Sequence, residues 1–134
     1  LAEHRPLGLA LRSYLVMEKI EGATDLCDVS GDASHLAKRL AKLIGRMHAE
    51  GFAHRDLKAS NVLVDDEQQP WLIDLDGLSF SGSISAKVAV SNLNRLERGL
   101  RGKSFFTKEN RVRFLRHYCR VSGFRPAELR VAQK

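Results

Sequence analysis

The stretch His54-Arg55-Asp56-Leu57-Lys58-Ala59-Ser60-Asn61, followed by Ile73-Asp74-Leu75-Asp76, decides the fold of this chain. Between the two segments lie the apolar runs 62–64 and 71–73, separated by the polar run Asp65-Asp66-Glu67-Gln68-Gln69-Pro70. Two short apolar runs around a polar turn predict a β-hairpin. Such a hairpin would place Asn61 at its entrance and Asp74 at its exit, so residues 13 positions apart would meet at one end.

The polar side chains around this hairpin have the chemistry that phosphate transfer needs. Asn61 supplies an amide oxygen and Asp74 a carboxylate, both hard oxygen donors of the kind that Mg²⁺ prefers. Phosphoryl transfer also needs a carboxylate to orient the attacking hydroxyl group, a role that fits Asp56. Lys58 would direct its ammonium group at the transferring phosphate and offset the charge there. The His-Arg pair before Asp56 is expected to brace the loop.

A helix is predicted ahead of the motif. Apolar residues at positions 36, 40, 43, 44 and 47 recur at helical intervals and predict a helix near 34–50. Asp32 or Ser34 is the expected N-cap, and Gly51 is the expected stop. Further upstream, a strand is predicted near 13–17, followed by a polar connection that contains Gly22.

The combined pattern resembles the protein-kinase-like superfamily, whose catalytic loop H-R-D-x-x-x-x-N precedes a separate metal-binding Asp. Within it, the chain is most similar to the bacterial lipopolysaccharide kinases that phosphorylate Kdo or heptose sugars. The segment 73–76 is similar to the Ile-Asp-Phe-Asp form of those sugar kinases, with Asp76 where protein kinases have the glycine of Asp-Phe-Gly. No Ala-Pro-Glu follows, and the segments 91–96 and 110–118 are similar to that family's closing helices. The resemblance spans residues 13–120.

This resemblance implies an α+β fold: a protein-kinase-like C-terminal lobe, mainly helical, with a small β-hairpin at the catalytic site. Residues 1–134 would form one such lobe, with a hinge at about 13–25, the catalytic loop and metal hairpin at 54–76, and closing helices at about 87–121. The segment 77–86 is expected to be a flexible loop over the site. No Gly-rich phosphate loop or strand lysine precedes Leu11, so we expect that the N-terminal lobe is missing and that this fragment alone is inactive.

The site residues follow from the same resemblance. We predict Asp56 and Lys58 as catalytic, and Asn61 and Asp74 as ligands of Mg²⁺ and of the ATP bound with it. The remaining nucleotide contacts would come from the hinge, where the backbone around Glu18 and Ile20 would bind the adenine edge, and from Leu63 beneath the base. By itself, the hinge segment is better explained as an ordinary strand followed by a loop, and its position ahead of the catalytic loop is what supports the hinge interpretation.

The implied activity is ATP-dependent transfer of the γ-phosphate to a hydroxyl group of a sugar in the lipopolysaccharide core. The acceptor would be lipid-linked or part of the core oligosaccharide. One alternative is a relative of bacterial Ser/Thr protein kinases, against which the missing Ala-Pro-Glu argues. The other is a non-catalytic scaffold with a kinase-like lobe, against which the complete set Asp56, Asn61 and Asp74 argues.

The net charge of +6 is concentrated late in the chain. The cations there are Arg95, Arg98, Arg101, Lys103, Lys108, Arg111, Arg113, Arg116 and Arg120. No nucleic-acid-binding motif accompanies them, so we expect no nucleic-acid partner. Peripheral contact with an anionic membrane and plain solvated helix faces both remain open. Lys38, Arg39, Lys42 and Arg46 on the first helix are interpreted as a solvated face, with a ligand-binding stripe as the alternative.

Size and cysteine content indicate one cytoplasmic domain. The chain has 134 residues with 43% hydrophobic content, enough for one core, and no apolar run approaches the roughly 20 residues of a membrane span. Two cysteines, Cys27 and Cys119, provide no disulfide framework and are expected to be free thiols of a reducing compartment. We therefore expect a cytoplasmic protein, with peripheral contact at the inner membrane face as an open alternative.

Overall fold

The computed structural model describes residues 2–4, 12–14, 19–31 and 33–133, and side chains from residue 19 onward. Its architecture is α+β and mainly helical, as predicted. The strands are β1 (Ala2–His4), β2 (Arg12–Tyr14), β3 (Thr24–Asp25), β4 (Phe52–His54), β5 (Val62–Val64), β6 (Pro70–Leu72) and β7 (Leu78–Phe80). The helices are α1 (Ser34–Ala49), α2 (Ala86–Leu100), α3 (Lys108–Ser122) and α4 (Pro126–Ala132). Short 3₁₀ turns occur at Leu26–Asp28, Ala59–Asn61 and Leu75–Gly77.

Helix α1 confirms the predicted helix near 34–50 and ends as expected at Gly51. Gly51 has φ +85°, a left-handed conformation that glycine adopts without a Cβ clash, and its N–H donates to the carbonyl of His48 at 3.1 Å. The predicted N-cap at Ser34 was wrong, because Ser34 is already helical and Ala33 occupies the cap position with no side-chain hydrogen bond. The alternative cap, Asp32, lies outside the described residues.

The core forms where α1 packs against α3. Leu36, Leu40 and Ile44 form the buried stripe of α1 and are at most 1% exposed. Tyr118 of α3 and Leu57 of the catalytic loop are also fully buried in this core. Each such aliphatic side chain stabilises the fold by about 1.5–3 kcal/mol through burial. The predicted catalytic loop is thus anchored in the main core by Leu57.

The predicted hairpin is confirmed as the antiparallel pair β5 and β6. Val62 lies opposite Leu72, and the pairing extends by one step because the N–H of Ile73 donates to the carbonyl of Asn61 at 2.9 Å. The turn is organised by Asp65, whose Oδ1 accepts the backbone N–H of Gln69 at 2.8 Å. The hairpin therefore ends with Asn61 and residue 74 at its open end, as the sequence indicated.

The prediction of a flexible loop over 77–86 was wrong for its first part. Strand β7 pairs antiparallel with β4, with Phe52 opposite Phe80 and His54 opposite Leu78. The loop is confined to 81–85, where Ser85 caps α2 by accepting the N–H of Val88 at 3.3 Å. Strand β7 lacks a strong local signal because it forms only through pairing with a distant partner.

The remaining predicted elements are observed with small shifts. The closing helices predicted at about 87–121 are α2 and α3, and Thr107 caps α3 by accepting the N–H of Asn110 at 3.1 Å. The strand predicted near 13–17 is seen as β2, which pairs with β1, while residues 15–18 lie outside the described part. Cys27 and Cys119 are free thiols, as expected. Among the described helices, none has the length and apolar character to cross a membrane.

Candidate active site

The open end of the β5–β6 hairpin brings three predicted site residues together. The Asn61 side-chain amide donates to the main-chain carbonyl of Asp56 at 2.9 Å and to Asp74 Oδ2 at 3.4 Å. These two bonds use both protons of the amide, which leaves the Oδ1 of Asn61 as the atom that can bind a cation. Asn61 is 6% exposed, so its orientation is fixed by its surroundings.

This donor set fits Mg²⁺. The ion is usually held by one or two protein oxygens together with waters and substrate phosphates, so an amide oxygen and the carboxylate of Asp74 are a sufficient protein contribution. Within the described residues, no cluster of three or more His, Cys, Asp or Glu side chains could hold a metal by itself. A site built here would therefore depend on Asn61 and on a nucleotide that brings its own oxygens.

Asp74 has a left-handed backbone, with φ 58° and ψ 57°, which is uncommon outside glycine. The conformation reverses the chain between strand β6 and the 3₁₀ turn at Leu75–Gly77. Its carbonyl accepts a hydrogen bond from His54 Nε2 at 2.9 Å, which holds the reversed peptide in place. The strained turn therefore aims the carboxylate of Asp74 back toward Asn61.

His54 connects the predicted catalytic loop to the turn at Asp74. The imidazole is fully buried, and its Nδ1 accepts the backbone N–H of Asp56 at 3.2 Å while its Nε2 donates to Asp74. This pair of bonds requires the tautomer with the proton on Nε2. A Cβ on Gly77 would lie 2.6 Å from the ring carbon Cε1, so only glycine fits beside the imidazole. His54 thus braces the loop, as predicted.

A buried polar network behind the loop was missed by sequence analysis. Asn92 of α2, which is 3% exposed, accepts both the backbone N–H of His54 at 3.0 Å and His48 Nε2 at 3.2 Å. His48 Nδ1 lies 2.6 Å from the hydroxyl of Tyr118. Burial lowers the pKa of His48, so the imidazole is neutral and the Tyr118 hydroxyl donates to Nδ1. The network joins α1, α2 and α3 to the catalytic loop.

The sequence held only a weak signal for this network. His48 lies in the last turn of α1, and Asn92 lies on the apolar face of α2, where a polar residue is unusual. A buried asparagine at such a position indicates a hydrogen-bonding role, but its partners lie 38 and 44 residues away in the chain. Their identity depends on tertiary packing.

The two predicted catalytic residues form an ion pair. Lys58 Nζ lies 2.9 Å from Asp56 Oδ2, with the side chains 49% and 52% exposed. The hydrogen bond from Lys58 lowers the pKa of Asp56, and the same bond raises the pKa of Lys58. Arg95 of α2 also lies close enough to favour the ionised form of Asp56. The site therefore presents an ionised carboxylate next to an ammonium group, both accessible to a substrate.

The predicted adenine contacts are only partly within the described structure. Ile20 has a partly buried side chain, and Leu63 lies in β5 opposite Asp25 of β3, the strand at the end of the predicted hinge. Glu18 lies outside the described residues. The nucleotide-binding roles of Ile20, Leu63 and Glu18 stay predictions.

Comparison with known proteins identifies the relatives of this chain. Residues 1–118 match the model of the lipopolysaccharide kinase (Kdo/WaaP) family. A 3-deoxy-D-manno-octulosonic acid kinase of Xylella fastidiosa is 38% identical over 71 residues, covering 52% of this chain and 28% of the relative. The enzyme of the same name from Photobacterium profundum is 36% identical over 94 residues, covering 68% of this chain and 39% of the relative.

A solved structure, WaaP in complex with acyl carrier protein, superimposes with a TM-score of 0.60 at 25% identity and covers 73% of this chain and 41% of that one. The chain thus spans well under half the length of the relatives it matches. Since the family model covers nearly the whole chain, and the hairpin site has the predicted geometry, the chain belongs to the lipopolysaccharide kinase (Kdo/WaaP) family.

Proposed function

We propose that this chain forms the catalytic lobe of an ATP-dependent kinase that phosphorylates a sugar hydroxyl group in the lipopolysaccharide core. The observation that carries the proposal is the convergence of Asp56, Asn61 and Asp74 at the open end of the hairpin, fixed there by hydrogen bonds of the buried Asn61 and His54 side chains. The family match supports a kinase over a scaffold. The relatives' name supports a Kdo sugar over a protein as the acceptor.

Asp56 would accept a hydrogen bond from the acceptor hydroxyl and orient its oxygen for attack. Its carboxylate is half-exposed, and the hydrogen bond from Lys58 lowers its pKa, so it is ionised and reachable at neutral pH. Lys58 would exchange its bond with Asp56 for one with the transferring phosphate, where its positive charge would stabilise the negative charge of the transition state. His54 would hold the main chain of Asp56 in place throughout, through the bond to Nδ1.

Asn61 Oδ1 and the carboxylate of Asp74 would hold Mg²⁺ together with the phosphates of ATP. The bound ion supplies neutralisation of the charge that spreads over the phosphate oxygens during transfer. The backbone around Glu18 and Ile20, with the side chain of Leu63, would bind the adenine ring. We place the reaction in the cytoplasm, at the inner membrane face where a lipid-linked acceptor would be met.

The proposal is tested by phosphate transfer from ATP with the intact protein that contains this chain, and with the 134-residue chain in parallel. Acceptors are a rough lipopolysaccharide core and a generic protein. Asp56→Ala should lower sugar phosphorylation at least about 100-fold, the scale of a positioned acid or base. Asp74→Ala should abolish the Mg²⁺-dependent signal. Asp66→Ala, which removes an exposed carboxylate of the hairpin turn, is the matched control and should remain active.

The outcomes distinguish a sugar kinase from a protein kinase and from a non-catalytic scaffold. Transfer to sugar that depends on Asp74 supports the proposal, whereas transfer to protein alone would favour a protein kinase. Transfer to neither acceptor by the intact protein would favour the scaffold. Near-normal turnover of Asp56→Ala would refute the role assigned to that carboxylate. We expect the isolated chain to be inactive even when the intact protein transfers phosphate.

A further inference from the structure

Helices α1 and α3 pack side by side, and their outward cations form one continuous surface. This basic surface consists of Lys38, Lys42, Arg46, Arg113, Arg116 and Arg120. Two open grooves of about 570 and 390 Å³ run along it, and both are lined by Lys38 and His117. The sequence showed the α1 and α3 cations as two separate sets, and only the packing of the helices joins them.

The basic surface is poorly neutralised by the protein itself. Among the described residues that line the two grooves, Glu109 provides the only carboxylate. None of the ion pairs formed by described side chains includes Lys38, Lys42 or Arg116. Burial lowers the pKa of His117, and the charges of the surrounding arginines and lysine lower it further. Clustered cations of this kind repel each other and favour an anionic partner.

Aliphatic side chains accompany the charge. Val112, which lines the larger groove, is 50% exposed. Val121 lines the smaller groove. Basic residues interspersed with exposed aliphatic groups on a helix are typical of contact with the headgroup region of a membrane. Surfaces that bind single-stranded nucleic acid instead offer aromatic rings for stacking, and no Phe, Tyr or Trp lines either groove in the described part of the chain.

We propose that the basic surface docks the protein on a membrane of anionic phospholipid. The cations would meet the phosphate groups of the leaflet, and Val112 would enter the headgroup region. The preference for a lipid over another polyanion rests on the proposed function, because a lipid-linked acceptor is reached at a membrane. The charge, exposure and continuity of the surface do not depend on that function.

Two variants with the same change in net charge test the proposal. The surface variant carries Lys38→Gln, Lys42→Gln and Arg116→Gln. The control variant carries Lys87→Gln, Arg101→Gln and Arg130→Gln, which replace exposed cations of α2, its C-cap and α4. All six side chains are exposed, so both variants are expected to fold, and circular dichroism with thermal melting checks this.

Binding is measured by co-sedimentation with vesicles of phosphatidylglycerol and phosphatidylethanolamine, with phosphatidylcholine vesicles as the neutral reference. We expect binding of the unmodified protein to the anionic vesicles, lost at high salt. Each cation near an anionic leaflet contributes about a fivefold gain in partitioning, so the surface variant should bind on the order of 100-fold more weakly. The control variant should stay much closer to the unmodified protein.

Three results would overturn the proposal. These are no preference of the unmodified protein for anionic vesicles, equal losses in the two variants, and displacement of the protein from vesicles by single-stranded oligonucleotide at a lower phosphate concentration than the lipid. Phosphate transfer to a soluble core oligosaccharide should be the same in both variants. If that transfer fails in the unmodified protein, the proposed reaction fails, and the vesicle measurements still decide on the surface.

Discussion

Asn92→Leu is the substitution for which the structure gives the sharpest expectation. Leucine has nearly the shape of asparagine, so the change removes the side-chain acceptor without leaving a large cavity. The Oδ1 of Asn92 accepts two buried hydrogen bonds, from the backbone N–H of His54 at 3.0 Å and from His48 Nε2 at 3.2 Å. Both donors lose their partner in the variant, and water has little access to a site that is 3% exposed.

The magnitude follows from the two orphaned donors. A buried polar group left without a partner costs about 1–3 kcal/mol, so the pair predicts a loss of about 2–6 kcal/mol. His48 can reduce its share by moving its proton to Nδ1, but its Nε2 would then be an unsatisfied acceptor in the same place. We therefore expect at least about 2 kcal/mol of destabilisation, a large part of the stability of a domain of this size.

The assay is urea unfolding followed by circular dichroism, with amide hydrogen exchange at His54 as the local measurement. Asn94→Leu is the matched control, because Asn94 lies on the same helix and makes no side-chain hydrogen bond in the described structure. Protection of the His54 amide should fall in Asn92→Leu and persist in the control. The reasoning is refuted if the two variants unfold within about 0.5 kcal/mol of each other.

Three further expectations concern the same region. Gly77→Ala should lower the free energy of unfolding by about 1–3 kcal/mol in chemical denaturation, because the new Cβ would lie 2.6 Å from a His54 ring that is held at both nitrogens. An unchanged NMR spectrum of the His54 imidazole would contradict this expectation. Burial lowers the pKa of His48, so as pH falls the imidazole is protonated in the unfolded chain before it is protonated in the folded one. The free energy of unfolding should therefore decrease as pH falls below about 6.5. Urea titrations of His48→Gln should show a weaker dependence of this free energy on pH. Tyr118→Phe should lose about 1–3 kcal/mol in thermal unfolding by leaving His48 Nδ1 unpaired, and a melting curve identical to that of the unmodified protein would count against the hydrogen bond.

Local patterns explain which features the sequence could predict. Helix α1 and the β5–β6 hairpin depend on periodicity and turn residues within one short window, and both were predicted to within one or two residues. The meeting of Asn61 and Asp74 followed from the hairpin alone. The left-handed backbone of Asp74 did not, because it depends on the hydrogen bond that its carbonyl accepts from His54.

Non-local contacts explain what the sequence could not predict. Strand β7 is three residues long and is stabilised by pairing with β4, where Phe52 packs on Phe80 with ring centroids 5.0 Å apart. The bond between His48 and Tyr118 joins residues 70 positions apart. Neither contact produces a periodic residue pattern within a single segment, so neither can be predicted before the packing of the helices and strands is known.

The residues that position the site differ from those proposed to act on the substrate. Asp56 and Lys58 are half-exposed and form an ion pair that solvent screens, so in the proposed reaction Asp56→Ala should lower transfer at least about 100-fold while leaving the fold nearly unchanged. His54 is fully buried and is hydrogen-bonded to the main chain of Asp56, to the carbonyl of Asp74 and to Asn92. It therefore holds the exposed Asp56 and Asp74 segments against the rigid core. Loss of Asn92 should therefore reduce stability and activity together. A variant of Asn92 that lost stability but kept full turnover would show that the loop is positioned without this network.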